Sequence, residues 1–352
     1  MNKKVVIGMS GGVDSSVAAF LLKKQGYEVI GVTMKMWQED GKSCPALELV
    51  VEDAKKVADL LEIPHYVADF RDGFKEHVVD DFVSEYLHGR TPNPCIVCNR
   101  FVKWEMLLEF ADKMGADYIA TGHYARIDKM PNGRYAVKTS VTANKDQTYA
   151  LYRLTQEQLA RTLMPVGEYE KQEIREIAKE IGISVADKPD SQEICFIPDN
   201  DYASFIHRQA GDAVPKGGNF VKTDGSVIGP HQGIIHYTIG QRKGLNLAMG
   251  HPVFVTEIRP DTKEVVIGEA EDVFSTVVIC DRINFMGLAD LEEPYRAMAK
   301  IRYSHKGSMA TLERFGEDKI RCTFDEPVRA VTPGQAVVFY EDGYVLGGGT
   351  II

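Results

Sequence analysis

No stretch of this 352-residue sequence stays apolar long enough to span a bilayer. The opening MNKKVVIGMSGG carries two lysines but only a short apolar run before its glycines, which is too little for a secretory leader. The sequence therefore predicts a cytoplasmic protein with no membrane partner. Positive charge is also scarce: 41 Lys and Arg face 51 Asp and Glu, for a net charge of -10. That balance argues against a protein that coats nucleic acid and leaves room for a local basic patch only. Low-complexity tracts are missing, and fractions of 44% hydrophobic and 26% charged residues are those of a chain folded throughout. Its length calls for two or three domains. Six cysteines are too few and too scattered for a disulfide framework, so their positions carry more meaning than their number.

What is present begins with alternation of strand and helix signals. Val5 to Ile7 forms a short apolar run, followed by a glycine-rich turn and a helix in which Val17, Phe20 and Leu21 recur at helical spacing until Gly26. Glu28 to Thr33 predicts a second strand, Val50 to Leu61 an amphipathic helix, Tyr66 to Ala68 a third strand and Tyr118 to Thr121 a fourth. This order predicts an α/β fold with a parallel sheet, whose ligands bind at the carboxyl ends of the strands. Beyond about Asp199 glycine and proline become frequent, and β-branched runs replace helical periodicity at Val253 to Ile258, Val265 to Ile267, Val277 to Ile279, Ile320 to Phe324 and Ala336 to Tyr340. We therefore expect a catalytic domain over residues 1–200, a small β-rich central domain over 201–272 and a C-terminal β-barrel over 273–352.

The turn Ser10-Gly11-Gly12-Val13-Asp14-Ser15-Ser16 joins the first strand to its helix. Glycines there let backbone amides approach an anion, and the helix dipole adds attraction. The lysine and glycine spacings of a Walker A loop and of a dinucleotide fingerprint are both missing. SGGVDSS after a strand instead resembles the loop of the PP-loop ATP pyrophosphatases, which split ATP into AMP and pyrophosphate while adenylating a substrate. That resemblance implies ATP and magnesium. It implies a nucleotide site of Gly8, Met9, Ser10, Gly11, Gly12, Val13, Asp14 and Ser15, with Met34 and Gly122 against the adenosine and Asp14 helping to position the metal.

Two cysteines lie in Thr91-Pro92-Asn93-Pro94-Cys95-Ile96-Val97-Cys98-Asn99 and a third in Asp190-Ser191-Gln192-Glu193-Ile194-Cys195-Phe196. A lone CxxC fits half a zinc site, a redox pair, iron–sulfur ligands or plain thiols, and no second pair stands at zinc spacing. Cys280 and Cys322 sit in apolar runs and read as packing thiols, while Cys44 lies in a polar loop with no activating neighbour. The ordered set SGGVDSS, TPNPCIVCN, TGHYAR, NKDQTYALY, DSQEICFI, TIGQRKGL and TPGQ resembles the bacterial tRNA-specific 2-thiouridylase family from Val5 nearly to the last residue.

That resemblance implies an ATP-dependent sulfurtransferase acting on wobble uridine 34 of the tRNAs for Lys, Glu and Gln. It makes Cys98 the nucleophile and Cys195 the persulfide carrier, loaded by a cysteine desulfurase or sulfur-relay protein. One familiar form of the family has aspartate where Cys95 stands here, which puts that acid–base role in doubt. A rival route stays open, in which Cys95, Cys98 and Cys195 ligate a 4Fe-4S cluster with one free iron. The same resemblance implies that tRNA meets Asn93, Pro94 and Cys95 at the target base, His123, the run Lys145-Asp146-Gln147, Arg302 and Tyr303, and Gln335. Taken without it, these residues read as turns, solvated loops and an ordinary strand-end histidine.

Overall fold

Val5, Val6 and Ile7 are wholly buried, as a central parallel strand covered on both faces requires. The computed structural model describes residues 3–38, 45–183 and 194–352. In it β1 (Lys4–Gly8), β2 (Glu28–Lys35), β3 (His65–Asp69) and β4 (Tyr118–Ala120) run parallel in the order β3-β2-β1-β4. Helix α1 (Val13–Lys24) follows β1 and α2 (Pro45–Leu60) follows β2. The third connection holds two long helices, α3 over residues 71–87 and α4 over 94–113, each wound partly as π-helix, at Lys75–Val79 and Cys98–Met106.

After β4 the chain makes a hairpin, β5 (Ala125–Lys129) and β6 (Tyr135–Thr139), before α5 (Gln156–Ala160) and a short β7 (Thr162–Leu163) that rejoins the parallel sheet beside β4. Helix α6 (Lys171–Glu180) then packs its buried Ile174 and Ala178 into the core shared with Val17 and Ala18 of α1. Past α7 (Tyr202–Ala210), a mixed sheet of β8 (Asn219–Lys222), β9 (Val227–Pro230), β10 (Phe254–Arg259) and β11 (Glu264–Gly268) has the order β10-β11-β8-β9.

The last six strands are antiparallel: β12 (Phe274–Phe285), β13 (Tyr295–Lys300), β14 (Ser308–Arg314), β15 (Ile320–Arg329), β16 (Ala336–Glu341) and β17 (Tyr344–Ile351). Their order is β12-β15-β14-β13-β16-β17, and pairing of β12 with β17 closes the barrel. Cys280 and Cys322 are buried inside it among Leu312, Phe324 and Phe339, as apolar packing thiols. The α/β sheet followed by β-rich units and a barrel is the architecture the sequence predicts.

The hairpin was not legible in advance. It leaves the parallel sheet and joins the barrel, with Lys138 of β6 opposite Tyr344 of β17 and Arg134 donating to the Met286 carbonyl at 2.8 Å. Thr91, just ahead of α4, ties three parts of the chain together. Its hydroxyl lies 3.0 Å from that of Thr238, its amide donates to the Pro333 carbonyl at 2.9 Å, and its carbonyl accepts from the Gln335 side chain at 2.7 Å.

Candidate active site

The glycine-rich turn sits at the carboxyl end of β1, where the open-sheet rule places ligands. Gly11 has φ +67°, and a Cβ there would meet the Val50 carbonyl at 2.9 Å. The Ser15 hydroxyl accepts from the Ser10 amide at 3.2 Å and donates to the Gly12 carbonyl at 3.2 Å, so the turn is folded on itself. Gly12 is the N-cap of α1 and offers no side-chain acceptor, which leaves the α1 amides uncapped toward an anion. Val13 and Met9 are buried beneath the turn, and the Met9 carbonyl accepts from Thr33 at 3.1 Å. Met34 reaches Gly8, whose added Cβ would lie 3.0 Å from the methionine methyl. Gly122 lies so close to α1 that a Cβ would stand 2.6 Å from the Ser15 amide nitrogen. These residues all gather at one turn.

Asp14 is held by partners from outside the turn. Its carboxylate takes the Tyr124 hydroxyl at 2.7 Å and the Lys171 ammonium at 2.8 and 2.9 Å. Neither partner drew notice in the sequence, because Tyr124 is only the next letter of a motif and Lys171 opens an ordinary amphipathic helix.

Helix α4 carries the first two cysteines. Asn93 caps it by accepting from the Cys95 amide at 3.2 Å, and Pro94 takes the first helical position. The helix is bolted in place by Asn99, which donates to the Ala150 carbonyl at 2.9 Å, and by buried Trp104, which donates to Thr162 at 2.9 Å. Cys98 is buried, whereas Cys95 and Cys195 are exposed. Burial pushes the Cys98 thiol up to about 12, Lys103 opposes that rise, and the neighbouring Cys195 and Cys95 add to it. Cys195 keeps an accessible edge, yet the protein packed around it raises its thiol as well, again against Lys103.

Lys103 stands five residues after Cys98 in the π-wound stretch, whose i to i+5 bonding stacks such residues on one face. α-Helical spacing hides that alignment, which is why the sequence reading missed it. Cys195 is anchored through Phe196, whose ring lies 5.6 Å from Phe74, 5.4 Å from Phe82 and 5.3 Å from Phe205. Cys44 and the stretch Asp190 to Glu193 lie outside the described residues.

The three cysteines share one electrostatic neighbourhood, yet no group of three Cys, His, Asp or Glu among the described residues is placed to hold a metal.

His123 bridges the two halves of the site. It follows Gly122, its Nδ1 lies 2.9 Å from the Thr121 hydroxyl, and its ring stands 5.4 Å from Trp104 of α4. Burial, with Lys103 adding to it, holds His123 well below the ordinary histidine range, so it is a neutral imidazole.

The remaining expected RNA contacts form two groups. Lys145, Asp146 and Gln147 adjoin Tyr303, whose hydroxyl donates to the Asp146 carbonyl at 3.1 Å and whose ring is 54% exposed. Part of this run is structural: Gln147 accepts from the Tyr124 amide at 2.8 Å, and Asp146 accepts from the Thr148 hydroxyl at 2.7 Å. Arg302 donates to the Arg329 carbonyl at 2.8 Å. Gln335 spends its amide on Thr91, which places it beside Asn93 and Pro94.

Three family models cover the chain: a tRNA methyl transferase HUP domain over residues 3–199, a tRNA methyl transferase PRC-barrel domain over 204–269 and an aminomethyltransferase beta-barrel domain over 275–351. The tRNA-specific 2-thiouridylase MnmA of Lachnoclostridium phytofermentans is 59% identical, covering 99% of each chain. The chain belongs to the tRNA-specific 2-thiouridylase family. Other members bearing that name, from Clostridioides difficile and Clostridium perfringens, are 55% and 56% identical and cover 100% and 99% of the chain and 98% of their own lengths. Among solved structures, the U34-tRNA thiolase NcsA of Methanococcus maripaludis with its 4Fe-4S cluster overlaps 60% of this chain and 68% of its own, at 17% identity and a TM-score of 0.36. That likeness is too loose to bear on the chemistry. Membership of the 2-thiouridylase family makes this an ATP-dependent enzyme of the PP-loop group.

Proposed function

We propose that this protein adenylates O2 of uridine 34 in tRNA with ATP and replaces that oxygen with sulfur carried on Cys195. One observation carries the reading. The segment Thr121 to Tyr124 touches both halves of the chemistry, with Gly122 against the amide of Ser15, Tyr124 bonded to Asp14, and His123 beside the helix that holds Cys95 and Cys98. A base placed over that segment lies between a phosphate cradle and two thiols.

The steps follow from the chemistry of the groups. A carbonyl oxygen is a poor leaving group, so uridine O2 attacks the α-phosphate of ATP and pyrophosphate departs from the turn at Ser10 to Ser15. Magnesium enters with the triphosphate, whose charge it offsets. The terminal sulfur of the Cys195 persulfide adds to C2, and AMP leaves with the oxygen. The Cys98 thiolate attacks Sγ of Cys195, breaking the S–S bond and leaving the thiocarbonyl on the base and a Cys98–Cys195 disulfide, which a reductant reopens. In the alternative order Cys98 attacks first and hydrosulfide adds to C2. Cys95 is a thiol where an acid–base carboxylate is expected in the family, and His123, kept neutral by burial, faces the base as a hydrogen-bonding partner.

The tRNA docks along Asn93, Pro94 and His123 at the target base, with Lys145 to Gln147, Arg302, Tyr303 and Gln335 farther along the molecule. Lysine, glutamate and glutamine tRNAs are its substrates, and a cysteine desulfurase or relay protein supplies the persulfide. Domain limits near residues 200 and 272 suit this division of work between chemistry and RNA docking.

The test is a single turnover with persulfide-loaded protein, tRNA and ATP, stopped in acid and read by intact-peptide mass spectrometry. The reading expects Cys195 to lose its extra sulfur and a Cys98–Cys195 disulfide to appear only when both ATP and tRNA are present. A persulfide that survives turnover, or a disulfide formed without ATP, contradicts it.

A further inference from the structure

We propose that Cys95 is the resolving thiol of this site: once sulfur has been delivered, it attacks Cys98 in the Cys98–Cys195 disulfide, takes over the bond and frees Cys195 to be loaded again. This inference rests on the persulfide route given above.

That route leaves Cys95 without a task, yet the fold sets it one turn from Cys98. Both lie at the start of α4, where the Cys98 amide donates to the Pro94 and Cys95 carbonyls. Helical residues three apart have Cα atoms about 5 Å apart, inside the range of about 4.4–6.8 Å that a disulfide spans. Asn93 caps this turn and Pro94 fixes its first position, so the spacing is held. Cys195 comes from a separate turn, closed by the Ile197 amide donating to the Ile194 carbonyl at 2.8 Å and pinned through Phe196. Cys98 thus has one partner on its own helix and another on a different element.

Access separates the three sulfurs. Cys98 is 5% exposed, Cys95 is exposed and Cys195 keeps an accessible edge. A thiol from solvent therefore meets the Cys98–Cys195 bond only at Cys195, and attack there leaves the reductant on the very sulfur that must be loaded next. Cys95 reaches the buried end from within the chain, at the high effective concentration of a neighbour on one helical turn. Its thiolate adds to Sγ of Cys98, the Cys98–Cys195 bond breaks, and Cys195 leaves as a thiolate that takes a proton from solvent to replace the one Cys95 gave up. No electrons are consumed in this exchange. They are supplied afterwards by a dithiol reductant, which attacks the exposed Cys95 sulfur, returns Cys95 and Cys98 to thiols and departs as its own disulfide. Loading at Cys195 and reduction at Cys95 are then separate events at separate sulfurs.

The test follows the cysteines of the full chain after one turnover of persulfide-loaded protein with tRNA and ATP. Samples of the native chain, Cys95→Ser and Cys95→Asp are alkylated rapidly and mapped by non-reducing peptide mass spectrometry. In the native chain, before any reductant is added, the Cys98–Cys195 disulfide is expected to rise and then give way to a Cys95–Cys98 disulfide, with Cys195 alkylated. In both variants the Cys98–Cys195 disulfide should persist. At one dithiothreitol concentration, their Cys195 should return to the free thiol about tenfold or more slowly than in the native chain, counted per disulfide formed so that a variant transferring less sulfur is still read. A native Cys98–Cys195 disulfide that stays until reductant is added, and then opens at the same rate in all three proteins, would overturn the proposal. Sulfur transfer that leaves no disulfide of either kind sinks the persulfide route itself, and this inference with it. The native time course decides the matter even where a variant fails to fold, which thermal melting reports.

Discussion

At the scale of single residues, the site is controlled by groups with no room or no water. Gly122 shows the first stricture, since any Cβ would press on the Ser15 amide at 2.6 Å and on the Asp14 carbonyl carbon at 2.8 Å. Gly122→Ala is therefore expected to push the turn off its anion-binding geometry and weaken ATP by about tenfold or more in an equilibrium titration, with little change in melting temperature. Cys98 shows the second stricture. Its thiol is raised to about 12 by burial, so the folded protein favours the protonated form at neutral pH. The stability that comes from burying it neutral is fully present below the unfolded thiol value of about 8.5 and is lost as pH rises toward that of the folded state. Site-resolved alkylation of the tRNA-free protein at pH 7.5 should accordingly run about tenfold or more slower at Cys98 than at exposed Cys95, and quicken with pH. Equal rates would mean that the cysteine is not shielded before substrate arrives.

At the scale of elements, the register of α4 and the docking of the loop at Gly334 decide whether the cysteines face the base. Gly334 adopts φ +90°, and a Cβ would meet the Thr91 nitrogen at 2.9 Å. Gly334→Ala should cost about 1–3 kcal/mol in chemical denaturation and lower tRNA affinity, because it lifts the barrel loop from the segment that carries Asn93 and Pro94. Retained tRNA affinity with full stability would show that this contact is incidental. The strands of the parallel sheet were readable because buried apolar runs such as Val5 to Ile7 have few other places to go, and the turn was readable because Gly11, at φ +67° and close against the Val50 carbonyl, does a job only glycine can do. The hairpin 125–139 was not readable, since its partner β17 lies some two hundred positions away in sequence and short charged strands signal weakly. Lys103 was hidden by π winding, and Lys171 by a partnership with Asp14 that only the fold creates.

At the scale of the whole molecule, one apolar core joins all three parts of the chain. It includes Trp104 and Tyr149 of the nucleotide-binding part, Phe220 and Val255 of the central sheet, and Val338 and Tyr340 of the barrel. The Thr91 junction and the pairing of β6 with β17 cross the same boundaries. Units sharing a core unfold together, so calorimetry should record one cooperative transition, and a barrel melting alone would contradict that coupling. A net charge of -10 also means that tRNA must be held by a local surface and by shape, not by overall attraction.

The most direct test of the central claim is to incubate the purified chain with unmodified tRNA, ATP, magnesium and a persulfide donor and to measure 2-thiouridine by nucleoside mass spectrometry, with Cys98→Ser and Cys195→Ser alongside and iron content recorded. The account predicts ATP-dependent 2-thiouridine at position 34 from iron-free native protein and none from either variant. Thiolation that survives loss of Cys195, or that requires bound iron, would contradict it.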